Sequence, residues 1–210
     1  METENGFFMD IGNQRVHYKK VIEAQFKGYY GKMLNIYPDD FFFFFPYTNQ
    51  ALALLSGIET AYFGRNFLCA AILTRSLLDC VMSWIYVTQV TQDDYKDFLD
   101  EFMKSGEITK VTKKGNKRTR VTGQDLTDTF KKCRGIDLSN SYKQLSKMVH
   151  PSIHHFHANT RPTPDLESDA CIAITSGENT EYPQHLYDEL KDIVHLCMSH
   201  VVILWDSRGG

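Results

Sequence analysis

The chain has 210 residues, of which 42% are hydrophobic and 23% are charged, with a formal net charge of −3. These values are typical of one folded domain with a single core over residues 1–210, and they exclude a disordered or fibrous protein. Because the net charge is slightly negative, an overall positive field is also excluded, and a polyanion would have to meet a local basic patch.

The cysteines and the first residues predict a cytoplasmic protein. The five cysteines lie far apart and form none of the close pairs that bind zinc, a distribution typical of reduced thiols in the cytosol. They are Cys69, Cys80, Cys133, Cys171 and Cys197. The first fourteen residues are acidic and lack the basic and apolar regions of a signal peptide, so we do not expect secretion.

Three helical patterns occupy most of the first ninety residues. Apolar residues recur every three to four positions over 17–35 and predict a first amphipathic helix. The stretches 48–66 and 67–90 carry two long apolar helical patterns, which an interruption near Gly64 would separate. Two charged residues lie in the middle of the 67–90 pattern, so its uncharged run is shorter than the roughly 20 apolar residues of a membrane span. We therefore predict core helices and no membrane partner.

A run of five phenylalanines, Phe41 to Phe45, follows the first helical pattern in the segment IYPDDFFFFFP. The prolines and aspartates of this segment break the helical pattern, and five consecutive phenylalanines cannot all face one core. The segment is predicted to be a connector packed on the helices. A surface for another subunit is the alternative interpretation.

The composition changes after a fourth helical pattern at 91–106, which begins with capping residues and ends at a glycine. Residues 107–123, here called the basic insertion, are polar and β-branched around a central Gly-Asn and predict a hairpin or a loop. Its six cations are candidate nucleic-acid contacts, and a solvated loop is the alternative. They are Lys110, Lys113, Lys114, Lys117, Arg118 and Arg120. The insertion has no aromatic residue for base stacking, so contacts there would be to the phosphate backbone.

Helical patterns resume after the insertion at 124–133, 137–149 and 181–205. Helix follows helix along the chain with no internal repeat. The predicted fold class is therefore all-α, an antiparallel helical bundle with a basic hairpin or loop inserted into it.

Four of the eight histidines lie between positions 150 and 157. His150 and His154 have the spacing of two ligands on one helical face, but Pro151 disfavours a helix at His150. The proline also stands where the HExxH metal motif requires glutamate. We therefore predict no metal and no cofactor, and we interpret His154, His155 and His157 as loop residues.

The chain also lacks the GxSxG, GxxxxGK[ST] and GxGxxG motifs, which disfavours the common hydrolases, P-loop enzymes and dinucleotide enzymes.

Two polar pairs interrupt otherwise apolar helical patterns. Arg75 and Asp79 are four residues apart, so their side chains meet on one face of the helix. Burying such a pair is costly unless other groups complete its hydrogen bonds. Ser146 and His150 are likewise one helical turn apart.

These pairs carry a resemblance to a known family. The turn Arg-Ser-Leu-Leu-Asp on a long apolar helix, followed some 65 residues later by YKQLSKMVHPS, resembles the HEPN-type helical bundles. The nearest branch comprises uncharacterised prokaryotic and abortive-infection AbiV-like proteins, with an R..L.E/D helix and a Y..LS..VHPS helix. The resemblance covers residues 48–155 in outline, and its motifs comprise about sixteen residues of moderate specificity.

The resemblance implies a dimer in a prokaryotic antiviral-defence context. In ribonuclease members of the superfamily, an Arg-x(4 to 6)-His motif cleaves RNA without metal, because histidine accepts the ribose hydroxyl proton and arginine stabilises phosphate charge. This chain departs from that motif, because the corresponding positions before His150 hold Lys143, Gln144 and Leu145. Lys143 lacks the bidentate fork of arginine, and Arg75 is the other candidate for the missing cation.

Two functions follow from these residues. The first is a cytoplasmic, non-catalytic HEPN-like protein that forms a homodimer through aromatic surface and binds a nucleotide, a nucleic acid such as RNA, or a phage component. In it Arg75, Asp79, Ser146 and His150 would form a buried polar network. The alternative is a metal-independent, toxin-like ribonuclease of a toxin–antitoxin kind. In that case His150 would be the acid and base, Arg75 or Lys143 the phosphate contact, and Ser146 and Asp79 the orienting groups.

Overall fold

The protein is mostly helical, as the sequence predicts. The computed structural model describes residues 10–32, 44–90, 92–111, 118–149, 160–162, 172–174 and 184–209. Within these ranges lie seven helices and two short two-stranded ribbons. They are α1 (Ile11–Lys32), α2 (Phe45–Phe63), α3 (Phe67–Val87), α4 (Gln92–Ser105), β1 (Thr109–Val111), β2 (Arg118–Arg120), α5 (Gly123–Arg134), α6 (Ser139–Val149), β3 (Thr160–Pro162), β4 (Ile172–Ile174) and α7 (Gln184–Gly209).

The first helix begins six residues before its predicted start. The Asp10 carboxylate accepts a hydrogen bond from the backbone N–H of Asn13 at 2.8 Å and so satisfies one of the free donors at the helix start. Ile11 and Gln14 are then buried. The side-chain amide of Gln14 donates to the carbonyl of Lys191 in α7 at 3.5 Å, so a distant helix stabilises this first turn.

The break between α2 and α3 lies where Gly64 predicts it. Arg65 follows with a φ of 52°, a left-handed conformation that ends the first helix. The Asn66 side chain then accepts a hydrogen bond from the backbone N–H of Cys69 at 3.1 Å and caps α3. Because the link between the two helices is short, they pack against each other.

Helix α3 is the centre of the bundle, because α2, α5, α6 and α7 all pack on it. Twelve of its 21 residues are buried. Its length and composition would also allow it to cross a membrane, but 56% of its most apolar window is buried against the rest of the protein. This burial is consistent with the predicted core helix.

Part of the phenylalanine run packs into the core. Phe44 is 2% exposed and lies edge-on against two tryptophan rings, with centroid distances of 4.6 Å to Trp84 and 4.7 Å to Trp205. The Trp205 indole N–H donates to the Thr48 hydroxyl at 3.0 Å, which satisfies the polar end of the buried ring. Core packing is therefore confirmed at Phe44, whereas 41–43 lie outside the described residues.

The basic insertion forms a hairpin where the structure describes it. Strand β1 pairs antiparallel with β2, with Lys110 opposite Thr119. Lys110 forms an ion pair with Asp125 in the first turn of α5. The same carboxylate accepts the backbone N–H of Thr122 at 2.8 Å, and the Thr122 hydroxyl accepts from the Asp125 N–H, which completes a capping box. One carboxylate therefore caps α5 and anchors the hairpin to it.

A second antiparallel ribbon joins β3 to β4 in the long connection between α6 and α7. The sequence did not predict these strands. Each has three residues, which is too short to show an alternating pattern.

A buried tyrosine links α1 to α7. The Tyr18 hydroxyl lies 2.7 Å from Nδ1 of His195 and 2.8 Å from Oγ of Ser199, and it donates to the His195 carbonyl at 3.1 Å. Burial raises the pKa of Tyr18 to about 12, although the hydrogen bond with Ser199 lowers it. Burial also lowers the pKa of His195. The charge of Asp192 raises this pKa, whereas His17 lowers it further.

We expect the protein to lose stability as the pH falls from 7.5 to 5.5. Burial lowers the folded-state pKa of both His195 and His200, whereas an unfolded histidine titrates near 6.5. The unfolded chain therefore binds more protons below that pH, and the free energy of unfolding falls until the folded histidines titrate too. Urea midpoints at the two pH values measure the effect. The fall should be smaller in His195→Gln, whereas His185→Gln, at an exposed position, should match the intact protein.

Candidate functional site

Arg75 is the centre of a polar cluster between α3 and α6. Its Nε donates to the Ser146 hydroxyl at 3.1 Å, and its Nη1 forms an ion pair with Asp79. The Arg75 side chain is 13% exposed, whereas that of Asp79 is 42% exposed. Three of the predicted site residues therefore lie together, although Arg75 and Ser146 are 71 positions apart in the chain.

Tyr142 completes this cluster. The guanidinium carbon of Arg75 lies 3.5 Å from the centroid of the Tyr142 ring, a cation–π contact. Burial raises the pKa of Tyr142, and the charge of Asp79 adds to this effect while Arg75 opposes it. The phenol therefore stays protonated at neutral pH, and its hydroxyl donates to the Asp79 carboxylate.

The local sequence explains why Tyr142 and Ser146 face the same way. They are one turn apart on α6, and the Ser146 hydroxyl donates to the Tyr142 carbonyl at 2.7 Å. Asp137 accepts the backbone N–H of Ser139 at 3.0 Å and so orders the start of the helix. Ser146 thus accepts from Arg75 while it donates within its own helix.

Gly123 provides the space that the Tyr142 ring occupies. A Cβ at this position would lie 2.5 Å from Cζ and 2.6 Å from Cε1 of the ring, closer than real Cβ contacts. A larger residue at this position would therefore force the Tyr142 side chain to shift. The Tyr142 side chain thus contacts both this glycine and the guanidinium of Arg75.

A cleft of about 550 Å³ opens over this cluster and is here called the Arg75 cleft. Its walls come from α3, the hairpin, α5 and α6. The lining includes ionic and polar groups, namely Arg75, Asp79, Ser83, Glu107, Arg120, Thr122 and Tyr142, and the apolar side chains of Ile108, Val121 and Leu126. Its volume lies within the ~300–1,000 Å³ of most small-ligand sites.

The remaining predicted site residues are distributed differently. Lys143 is exposed on α6 and lines a neighbouring cleft rather than contacting Arg75. Lys110 is paired with Asp125, whereas Arg120 is exposed and pairs with Glu107 at 3.4 Å. Four predicted site residues lie outside the described residues, namely His150, Lys113, Lys114 and Lys117. The side chain of Arg118 also lies outside the described part of the structure.

Tyr142 is the site residue that the sequence did not single out. Its signal is the spacing in YKQLS, where the tyrosine stands four residues before Ser146 and therefore on the same helical face. That spacing could not show that a guanidinium from another helix covers the ring.

The arrangement suits a polar or anionic ligand. Arg75 is held by three neighbours, and Asp79, to which the Tyr142 phenol donates, presents a partly exposed acceptor. Among the residues that the structure describes, no group of three or more His, Cys, Asp or Glu could hold a metal ion. The described part of the cleft thus provides binding groups, whereas His150, the proton-transfer residue that the sequence predicts, lies outside the described residues.

Comparison with known proteins gives no relative for this chain. No family model, curated protein or solved structure matches it. The resemblance to HEPN-type bundles therefore remains a prediction from the sequence motifs.

Proposed function

We propose that this chain is a HEPN-like helical protein of a prokaryotic antiviral-defence context that binds RNA or a nucleotide in the Arg75 cleft without catalysis. The observation that carries this proposal is the shared cleft. Arg120 belongs to the basic insertion and Arg75 to the polar pair of α3, yet both line one cavity. The homodimer, the cytoplasmic location and the defence context rest on the sequence and its resemblance.

Charge at the rim of the cleft favours a phosphate ligand. The Arg120 side chain is 75% exposed, and its ion pair with Glu107 is a surface contact at 3.4 Å. Such a pair contributes about 0–1 kcal/mol, so a phosphate can replace the carboxylate at little cost. The arginine fork then binds the phosphate through two hydrogen bonds.

The interior of the cleft fits the rest of a nucleotide. Ile108, Val121 and Leu126 provide an apolar wall against which a base can pack. The Asp79 carboxylate and the Tyr142 hydroxyl oxygen lie beside them and offer acceptors for amino or hydroxyl groups of the base or sugar. The site thus combines the apolar surface and the few directed polar groups of a small-ligand pocket.

Fluorescence anisotropy with labelled single-stranded RNA tests this function. We expect intact protein to bind at 0.1 M salt and Arg120→Glu to bind at least 10-fold more weakly, because the variant places a negative charge at the phosphate contact. Lys20→Glu makes the same charge change on the exposed face of α1 and should alter the affinity by less than 2-fold. The proposal is wrong if the intact protein binds neither RNA nor mononucleotides at low salt.

The second candidate function is a metal-independent ribonuclease. It is favoured by the contact between Arg75 and Ser146, because Ser146 stands one helical turn before His150 in the sequence. Arg75 could thus supply the cation that the Arg-x(4 to 6)-His motif lacks.

Incubation of the protein with a panel of cellular and tRNA-like RNAs in EDTA separates the two functions. Cleavage that survives chelation and disappears in His150→Ala would establish the ribonuclease. Binding without cleavage supports the non-catalytic protein.

A further inference from the structure

A second cleft adjoins the first one. It lies between α5 and α6, has a volume of about 420 Å³, and is here called the α5–α6 cleft. Tyr142 and Gly123 line both clefts, so this tyrosine–glycine contact is a wall that the two cavities share. The other lining residues are Gln124, Thr127, Ser139, Asn140, Lys143, Gln144, Ser146 and Lys147.

We propose that the α5–α6 cleft binds the neighbouring nucleotide of a single-stranded RNA whose path crosses Tyr142 from the Arg75 cleft. This inference rests on the proposed function and extends it from one nucleotide to a strand. Lys143 and Lys147 contact the phosphate, and the carboxamides of the cleft contact the base.

The charges of the cleft favour a polyanion. Lys143 and Lys147 are exposed on successive turns of α6, and both side chains line the cavity. No carboxylate occurs among the lining residues that the structure describes there. The groove between α6 and α7 differs, because Glu189 and Asp192 line it. Of these two cavities beside α6, the α5–α6 cleft is therefore the one suited to a phosphate.

The amides of the cleft match the edges of bases. Gln124, Asn140 and Gln144 are all exposed and line the cavity. Each carboxamide offers a donor and an acceptor side by side, the arrangement that recognises the donor and acceptor edge of adenine. The Gln124 amide donates to Asp128 at 2.8 Å, which fixes its orientation and leaves its carbonyl oxygen directed away from that carboxylate.

The division into two cavities favours a single strand. A base-paired RNA keeps its bases stacked inside the duplex and presents mainly backbone, whereas a single strand can turn its bases into separate pockets. Tyr142 lines both pockets, so its side chain stands between the two bases that the cavities would hold. The ligand class is therefore unpaired RNA of at least two nucleotides.

Anisotropy with labelled RNAs of one, two, four and eight nucleotides, and with a hairpin duplex, tests this inference. We expect the affinity to rise at least 10-fold from one nucleotide to four and the duplex to bind more weakly than the eight-nucleotide single strand. In the double variant Lys143→Ala/Lys147→Ala, the gain from one nucleotide to four should fall below 3-fold. The slope of log affinity against log salt should decrease by about 0.7, the contribution of the one phosphate that the two lysines contact on a single strand.

Lys20→Ala/Lys27→Ala is the matched control, because it removes two exposed lysines from α1. It should leave the length dependence and the salt slope unchanged.

Gln144→Ala should reduce any preference for oligo(A) over oligo(U) at least 3-fold. If intact protein binds RNA but the two double variants behave alike, this inference is wrong and the proposed function stands. If neither RNA nor a mononucleotide binds, both fail.

Discussion

Phe44→Ala is expected to lower the free energy of unfolding by about 3–5 kcal/mol, the usual cost of removing a fully buried phenylalanine. Phe44 is 2% exposed and packs edge-on against Trp84 and Trp205. Each aromatic pair adds about 0.5–1.5 kcal/mol beyond the buried area. For a chain of this size each kcal/mol shifts the melting temperature by about 2–4 °C, so a decrease of roughly 10 °C is expected.

Phe63→Ala is the matched control for this variant. It deletes the same side chain at the end of α2, where Phe63 is 60% exposed. Thermal unfolding followed by circular dichroism should place it within about 2 °C of the intact protein, since exposed substitutions change stability by about 0.5 kcal/mol. Equal decreases in the two variants would show that Phe44 does not anchor the core.

The helices could be predicted because their apolar period survives in the sequence. The patterns at 124–133 and 137–149 agree with α5 and α6 to within two residues at each end. The start of α1 could not be predicted, because Ile11 and Gln14 become buried through contacts with distant parts of the chain. Local periodicity contains no information on such contacts.

The candidate site could be predicted in part. The spacing of Arg75 and Asp79 shows that they share a helical face, and the structure confirms their ion pair. The contact from Arg75 to Ser146 depends on how α3 packs on α6, which no spacing within one helix determines. Gly123 likewise looks like an ordinary helix start, and its steric role emerges only when Tyr142 from α6 packs against it.

Arg75→Ala is expected to lower the free energy of unfolding by about 2–3 kcal/mol. The variant loses a cation–π contact of up to ~2 kcal/mol with Tyr142 and the hydrogen bond to Ser146. It also leaves Asp79 without its partner, but this carboxylate is 42% exposed, so water reduces that part of the cost. Urea unfolding measures the loss.

Arg75→Lys separates charge from geometry at this site. Lysine keeps the positive charge but cannot stack on the ring and bond Ser146 and Asp79 at once, so it should recover less than half of the loss. Arg120→Ala is the control, because its side chain is 75% exposed and should cost about 0.5 kcal/mol or less. If Arg75→Ala and Arg120→Ala lower the free energy of unfolding by the same amount, the polar cluster does not fix the packing of α3 against α6.

Gly123→Ala tests the same cluster through the hydroxyl end of Tyr142, which lies against Gly123. Alanine is favoured over glycine in a helix by up to about 1 kcal/mol, so local propensity alone predicts a gain. Here the new Cβ would lie 2.5 Å from Cζ of Tyr142, and we expect a loss of about 1–3 kcal/mol as the ring is displaced from Arg75. In a Tyr142→Ala background the same substitution should become neutral or stabilising. A coupling energy near zero in this double-mutant cycle would mean that the ring does not depend on the space at Gly123.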